Sequence, residues 1–123
     1  MKAILFVDDH EVLARLSCQI LEMQGYRAEC AYNASEALEK FDAGKYDLLV
    51  TDYRMEGMNG VELARRLRQS APELPVIVVS GVPPDENCTD VDAWLGKPDM
   101  FPALLDKIRE FVGEGCPGEL RRA

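Results

Sequence analysis

Zinc-type ligands are scarce in this chain. It has a single histidine, His10, and its four cysteines (Cys18, Cys30, Cys88 and Cys116) form no C-x-x-C pair and no other metal-type spacing. Cys18 falls in a helical pattern and Cys30 in a strand-like one, which makes both small core fillers, and Cys116 belongs to a Gly/Pro-containing tail. Long apolar runs are missing too: none approaches the roughly 20 residues of a membrane span. The start MKAILFVDD lacks a signal peptide's long apolar region and small-residue cleavage site. A cytoplasmic protein with reduced thiols and no membrane contact is therefore expected. Basic residues are outnumbered, 14 Lys and Arg against 22 Asp and Glu, giving a net charge of -8 and a pI near 4.6. Phosphate repels such a surface, which argues against direct nucleic-acid binding.

What is present suits one globular domain: 123 residues, 47% hydrophobic and 29% charged. Five short strands are expected at 3–7, 27–32, 48–51, 76–79 and 93–95. Val12, Leu13, Leu16, Ile20 and Met23 recur at helical spacing up to Gly25, a helix stop. Asn33 with Glu36 opens a second helix in the manner of a capping box, carrying Ala37, Leu38 and Phe41 and ending by Gly44. Asn59 with Glu62 opens a third. The alternation RAECAY suggests a strand near an edge, whereas VIVV at 76–79 reads as buried on both faces. The polar, proline-bearing segment 81–92 shows no convincing helix, and a last helix spans roughly 101–112. Residues 1–113 form the domain, and the tail 114–123 is expected to be disordered because it offers little to bury. Strands alternating with amphipathic helices imply an α/β domain with a parallel sheet covered on both faces.

In a parallel sheet with right-handed crossovers, all strands end along one edge, where open α/β sheets bind ligands. Asp8 and Asp9 follow the first apolar run, Asp52 the third, Ser80 the fourth and, after one glycine, Lys97 the fifth. Each alone has a plain explanation: Asp at a strand-to-helix junction is a common N-cap, Ser a turn residue, Lys a solvated charge. Together they place three carboxylates, a hydroxyl and an ammonium on one edge. Carboxylates drawn that close conflict unless a hard divalent cation joins them, and oxygen-only ligands favour Mg²⁺. Lys97 and Ser80 suit phosphoryl oxygens, which leaves a carboxylate as the nucleophile of an aspartyl phosphate.

These residues resemble the receiver domain of bacterial response regulators, of the chemotaxis-regulator-like kind found in two-component signalling. The likeness covers about residues 2–112 and is carried by VDDHE, LLVTDYRMEGMNG, VIVVSG and WLGKP. It implies a flavodoxin-like, doubly wound, five-stranded parallel sheet of strand order 2-1-3-4-5. It further implies that Asp52 accepts a phosphoryl group from the phosphohistidine of a histidine kinase or phosphotransfer protein. The resemblance makes Asp9 a direct Mg²⁺ ligand, has Asp8 act through water, and supplies the backbone carbonyl of Arg54 as a third protein ligand. By the same likeness Ser80 and Lys97 bind the phosphoryl oxygens, Ser80 and Trp94 form the switch, and the bond before Pro98 is cis. Such a chain catalyses its own phosphorylation and slow autodephosphorylation without being a turnover enzyme.

The sequence also departs from the family. Glu56 stands where D-x-x-M is usually followed by proline, and Asp99 replaces an apolar residue after Lys-Pro. The stretch from Ser80 to Lys97 is short and carries Pro83 and Pro84, so the fourth helix of the family is expected to be short or absent. Val82 offers nothing to position a hydrolytic water, which predicts a long-lived phosphorylated state. Two rivals are a pseudo-receiver that binds protein without phosphotransfer and a Mg²⁺-dependent phosphohydrolase. The second fits poorly, because D-D rather than D-x-D follows the first strand.

Overall fold

The computed structural model describes residues 2–42, 44–55, 57–81, 91–96 and 103–113. Five strands, β1 (Ala3–Val7), β2 (Arg27–Ala31), β3 (Leu48–Asp52), β4 (Val76–Ser80) and β5 (Ala93–Gly96), form one sheet. Four helices, α1 (Glu11–Met23), α2 (Ala34–Lys40), α3 (Gly60–Arg68) and α4 (Ala103–Val112), complete the described elements. Every strand pair is parallel, in the order β2-β1-β3-β4-β5. The expected strand order is thus observed, with β2 at an edge. The segment 82–90, which bears on a short or missing fourth family helix, lies outside the described residues, as do 97–102 and the tail 114–123.

Alternation along the strands divides the core into two layers. Leu5, Val7, Leu49, Val76 and Val78 pack with Ala37 of α2 and with Leu63, Ala64 and Leu67 of α3. Ile4, Phe6, Leu48, Val50, Ile77 and Val79 pack on the other face with Ala14, Cys18 and Leu21 of α1 and Leu104 and Ile108 of α4. Central strands covered on both sides need apolar residues at successive positions, and β1 and β4 are buried throughout. The end of α4 is fastened by the buried Tyr26, whose hydroxyl donates to the Gly113 carbonyl at 2.8 Å.

Helix starts follow local chemistry, with a revision at α2. Asn59 and Glu62 form the full capping box expected: Glu62 N donates to Asn59 Oδ1 at 2.9 Å and Asn59 N to Glu62 Oε1 at 3.3 Å. At α2 only half of it forms. Asn33 Oδ1 accepts from Glu36 N at 2.7 Å, but the Glu36 carboxylate instead lies 3.3 Å from Lys40 Nζ. This helix ends at Lys40, earlier than Gly44, because Phe41 turns extended.

The apolar spacing of α1 left open which face is buried, and the structure supplies it. Val12, Leu16, Ile20 and Met23 face outward, and the buried side consists of Ala14, Ser17, Cys18 and Leu21. Small residues allow the helix to lie close against the sheet, so the stripe with larger side chains is left on the surface.

Candidate functional site

The parallel register sets the site. Val7 pairs with Thr51, so Asp8 and Asp52 leave the sheet at the same level. Asp52 pairs with Val79, and Ser80 with Gly96, which places Ser80 and the end of β5 one step further along the same edge. β1 and β3 are also where the chain order reverses, the position at which such sheets leave a crevice.

Asp8, Asp9 and Asp52 each offer a carboxylate oxygen, and these oxygens all lie within 4.8 Å of one another. Asp8 is buried at 2% exposure, Asp52 half-buried and Asp9 exposed. Two unit charges about 5 Å apart repel by roughly 1 kcal/mol in water and roughly 3 kcal/mol at an effective dielectric near 20. Grouping three carboxylates therefore costs stability unless a cation joins them. The donors are hard oxygens, with no sulfur or imidazole ligand in the cluster, and graded exposure leaves one side open to water. That donor set fits a hexacoordinate cation which keeps part of its hydration.

Neither Asp8 nor Asp9 caps α1. The cap is His10, whose Nδ1 accepts from Leu13 N at 3.2 Å. Asp8 Oδ1 accepts from His10 N at 2.9 Å, which ties the acidic loop to the helix start, and Asp8 N donates to the Ala31 carbonyl at 3.0 Å. The ordinary explanation for an acidic residue at this junction is therefore taken by the histidine.

The loop after Asp52 is held from both sides. Tyr53 N donates to the Val79 carbonyl at 3.2 Å, and the Tyr53 carbonyl accepts from Gly60 N at 2.8 Å. The first residue of α3 thus sits against β3. A Cβ on Gly60 would come within 2.4 Å of the Asp52 carbonyl oxygen and 3.1 Å of Thr51 Cγ2. Only glycine fits there, and the sequence reading missed it. The available signal was a poor helix former at the first helical position, where a better one would be expected. Gly57, with φ of 83°, supplies the left-handed turn inside this loop.

Of the other expected site residues, Ser80 is buried at the end of β4. Arg54 is exposed two residues beyond Asp52. Trp94, half-buried on β5, has its ring centroid 5.0 Å from that of Tyr53 at a tilt of 47°. That ring pair links β5 to the loop beside Asp52, and sequence alone did not reveal it. Lys97 and Pro98 lie outside the described residues, together with Glu56, Val82 and Asp99. Lys97 directly follows Gly96, the residue paired with Ser80.

Residues 4–94 match the family model of the response regulator receiver domain. The response regulator receiver protein CpdR of Brucella abortus is 30% identical over 117 residues, covering 91% of this chain and 98% of CpdR. An uncharacterized transcriptional regulatory protein of Bacillus subtilis, YkoG, is 33% identical over 111 residues, 86% of this chain but 49% of its own length. The chain thus spans about half the length of that relative. Among solved structures, the response regulator TrrA of Thermotoga maritima, in complex with Mg²⁺-BeF, is 30% identical with a TM-score of 0.82, covering 91% of this chain and all of TrrA's. TrrA has also been solved in complex with the histidine kinase ThkA.

Proposed function

We propose, from the premise that the chain belongs to the response regulator receiver domain family, that it is a phosphoacceptor whose acceptor is Asp52. One observation carries the reading: the approach of Asp8, Asp9 and Asp52 within 4.8 Å at the C-terminal edge of the sheet. A carboxylate oxygen of Asp52 forms the bond to phosphorus as the P–N bond of a phosphohistidine breaks, and the electron pair leaves with the imidazole nitrogen. Mg²⁺, held by Asp9 and Asp52 with Asp8 acting through water and the Arg54 carbonyl completing the protein ligands, would neutralise charge on the phosphoryl oxygens. Ser80 donates to one of those oxygens and Lys97 neutralises another. The rigid β3 end and the Gly60 contact fix the nucleophile's position.

The donor is a histidine kinase or phosphotransfer protein. We place its docking on α1, which begins two residues after Asp9 and carries Val12, Leu16, Ile20 and Met23 on its outward face. Movement of Ser80 toward the phosphoryl group would be passed to Trp94, next to Tyr53, and so to the protein's surface.

The test is to incubate the protein with Mg²⁺ and acetyl phosphate and weigh it intact. A single-phosphate adduct on wild type, absent from Asp52→Asn, is expected. No adduct on wild type would point to a protein-binding module without phosphotransfer, and rapid turnover of donor to a hydrolase.

A further inference from the structure

The two cysteines read from sequence as separate core fillers meet in space. Cys18 is buried on α1, and Cys30 is half-buried on the edge strand β2. Their sulfurs are 2.7 Å apart, and Cys30 Sγ also lies 3.3 Å from the Ala14 carbonyl oxygen. Both are free thiols. A disulfide bond is about 2.05 Å long, so closing the pair requires only a small movement. Apolar packing alone does not demand two thiols face to face, and the proposed phosphotransfer uses neither. Access favours Cys30, which is half-buried on the strand that forms the sheet's edge among the described residues, whereas Cys18 is buried.

We propose that Cys18 and Cys30 are an oxidisable pair, which a low-molecular-weight disulfide converts to an intrachain disulfide pinning α1 to β2. The Cys30 thiolate, on the more accessible side, attacks one sulfur of the incoming disulfide and expels one thiolate, leaving a mixed disulfide. Cys18 then gives up its proton and attacks the Cys30 sulfur, which expels the second thiolate. Two cysteine thiols are oxidised and one small disulfide is reduced to two thiols. Burial pushes the Cys18 thiol up, so the second step is the slower one. The bond would fix the helix that begins just after the acidic pair, independently of whether Asp52 is phosphorylated.

Oxidised glutathione is the probe. The full chain is incubated with it, then unfolded for thiol titration, weighed intact and digested without reductant. In a Cys88→Ser, Cys116→Ser background, titratable thiols are expected to fall from two to none, the mass to drop by two hydrogens with no dimer, and one peptide pair to link Cys18 to Cys30. Cys18→Ser should trap glutathione on Cys30, and Cys30→Ser should abolish the loss of mass. The proposal is overturned if both thiols of this background survive, if the linked peptides come from two chains joined as a dimer, or if the protein retains glutathione on Cys30.

Discussion

Gly60 is the residue whose role is set most tightly by what it touches. Its missing side chain leaves room for the Asp52 carbonyl, and a methyl group would meet that oxygen at 2.4 Å. Neither partner can move cheaply, since Gly60 N also holds the Tyr53 carbonyl at 2.8 Å. Gly60→Ala is expected to cost about 2 kcal/mol by overpacking. Displacing the nucleophile should also slow labelling by acetyl phosphate roughly tenfold or more. Urea unfolding and a labelling time course measure the two effects. Labelling at the wild-type rate would mean that the α3 contact does not position Asp52. The acidic residues were legible because strand ends in a parallel sheet share one edge. Gly60 and His10 were not, because their roles depend on a loop returning to the sheet and on one particular cap.

At the scale of elements, α1 shows that apolar spacing can mark a helix without marking the face it buries. The apolar spacing predicted a helix, but the helix buries Ala14, Ser17 and Cys18 and presents Leu16 and Ile20. Small buried residues leave a weak sequence signal, and larger exposed ones give a misleading one. If that face receives the kinase, Leu16→Asp should slow transfer from a phosphorylated histidine kinase at least about tenfold, as loss of an apolar interface anchor would. Labelling by acetyl phosphate should be unchanged. Equal slowing with both donors would instead indicate damage to the fold.

The edge strand β2 supplies a pH-dependent tie. The Tyr46 hydroxyl donates to Glu29 Oε2 at 2.5 Å and Lys45 Nζ lies 2.9 Å from Oε1, and together they hold the Glu29 carboxyl below its usual range. Burial, then the same hydrogen bond, pushes the Tyr46 phenol up. A lowered carboxyl value in the folded state stabilises above the ordinary value of 4.5, and the gain is lost as pH falls through the folded value. The advantage of wild type over Tyr46→Phe should therefore hold at neutral pH and shrink below pH 4.5, as chemical unfolding across that range would measure. A gap that does not change with pH would leave only the packing of the phenol, which stacks on Phe41 at 5.9 Å.

For the whole molecule, the alternation of strands and helices was enough to read a parallel sheet covered on both faces, whereas its strand order came only from the family resemblance. Which helices cover which face needed three dimensions, as did the meeting of Cys18 with Cys30 across α1 and β2. The central claim rests on the sheet bringing Asp8 and Asp9 beside Asp52 across more than 40 residues of chain. It is tested most directly by locating the label. After reaction with acetyl phosphate, borohydride reduces an aspartyl phosphate to homoserine, which tandem mass spectrometry can place in the sequence. Homoserine should occur at position 52, should require Mg²⁺, and should be lost in Asp9→Asn. Homoserine at another carboxylate, or at position 52 in equal amount when chelator removes the cation, would contradict the account.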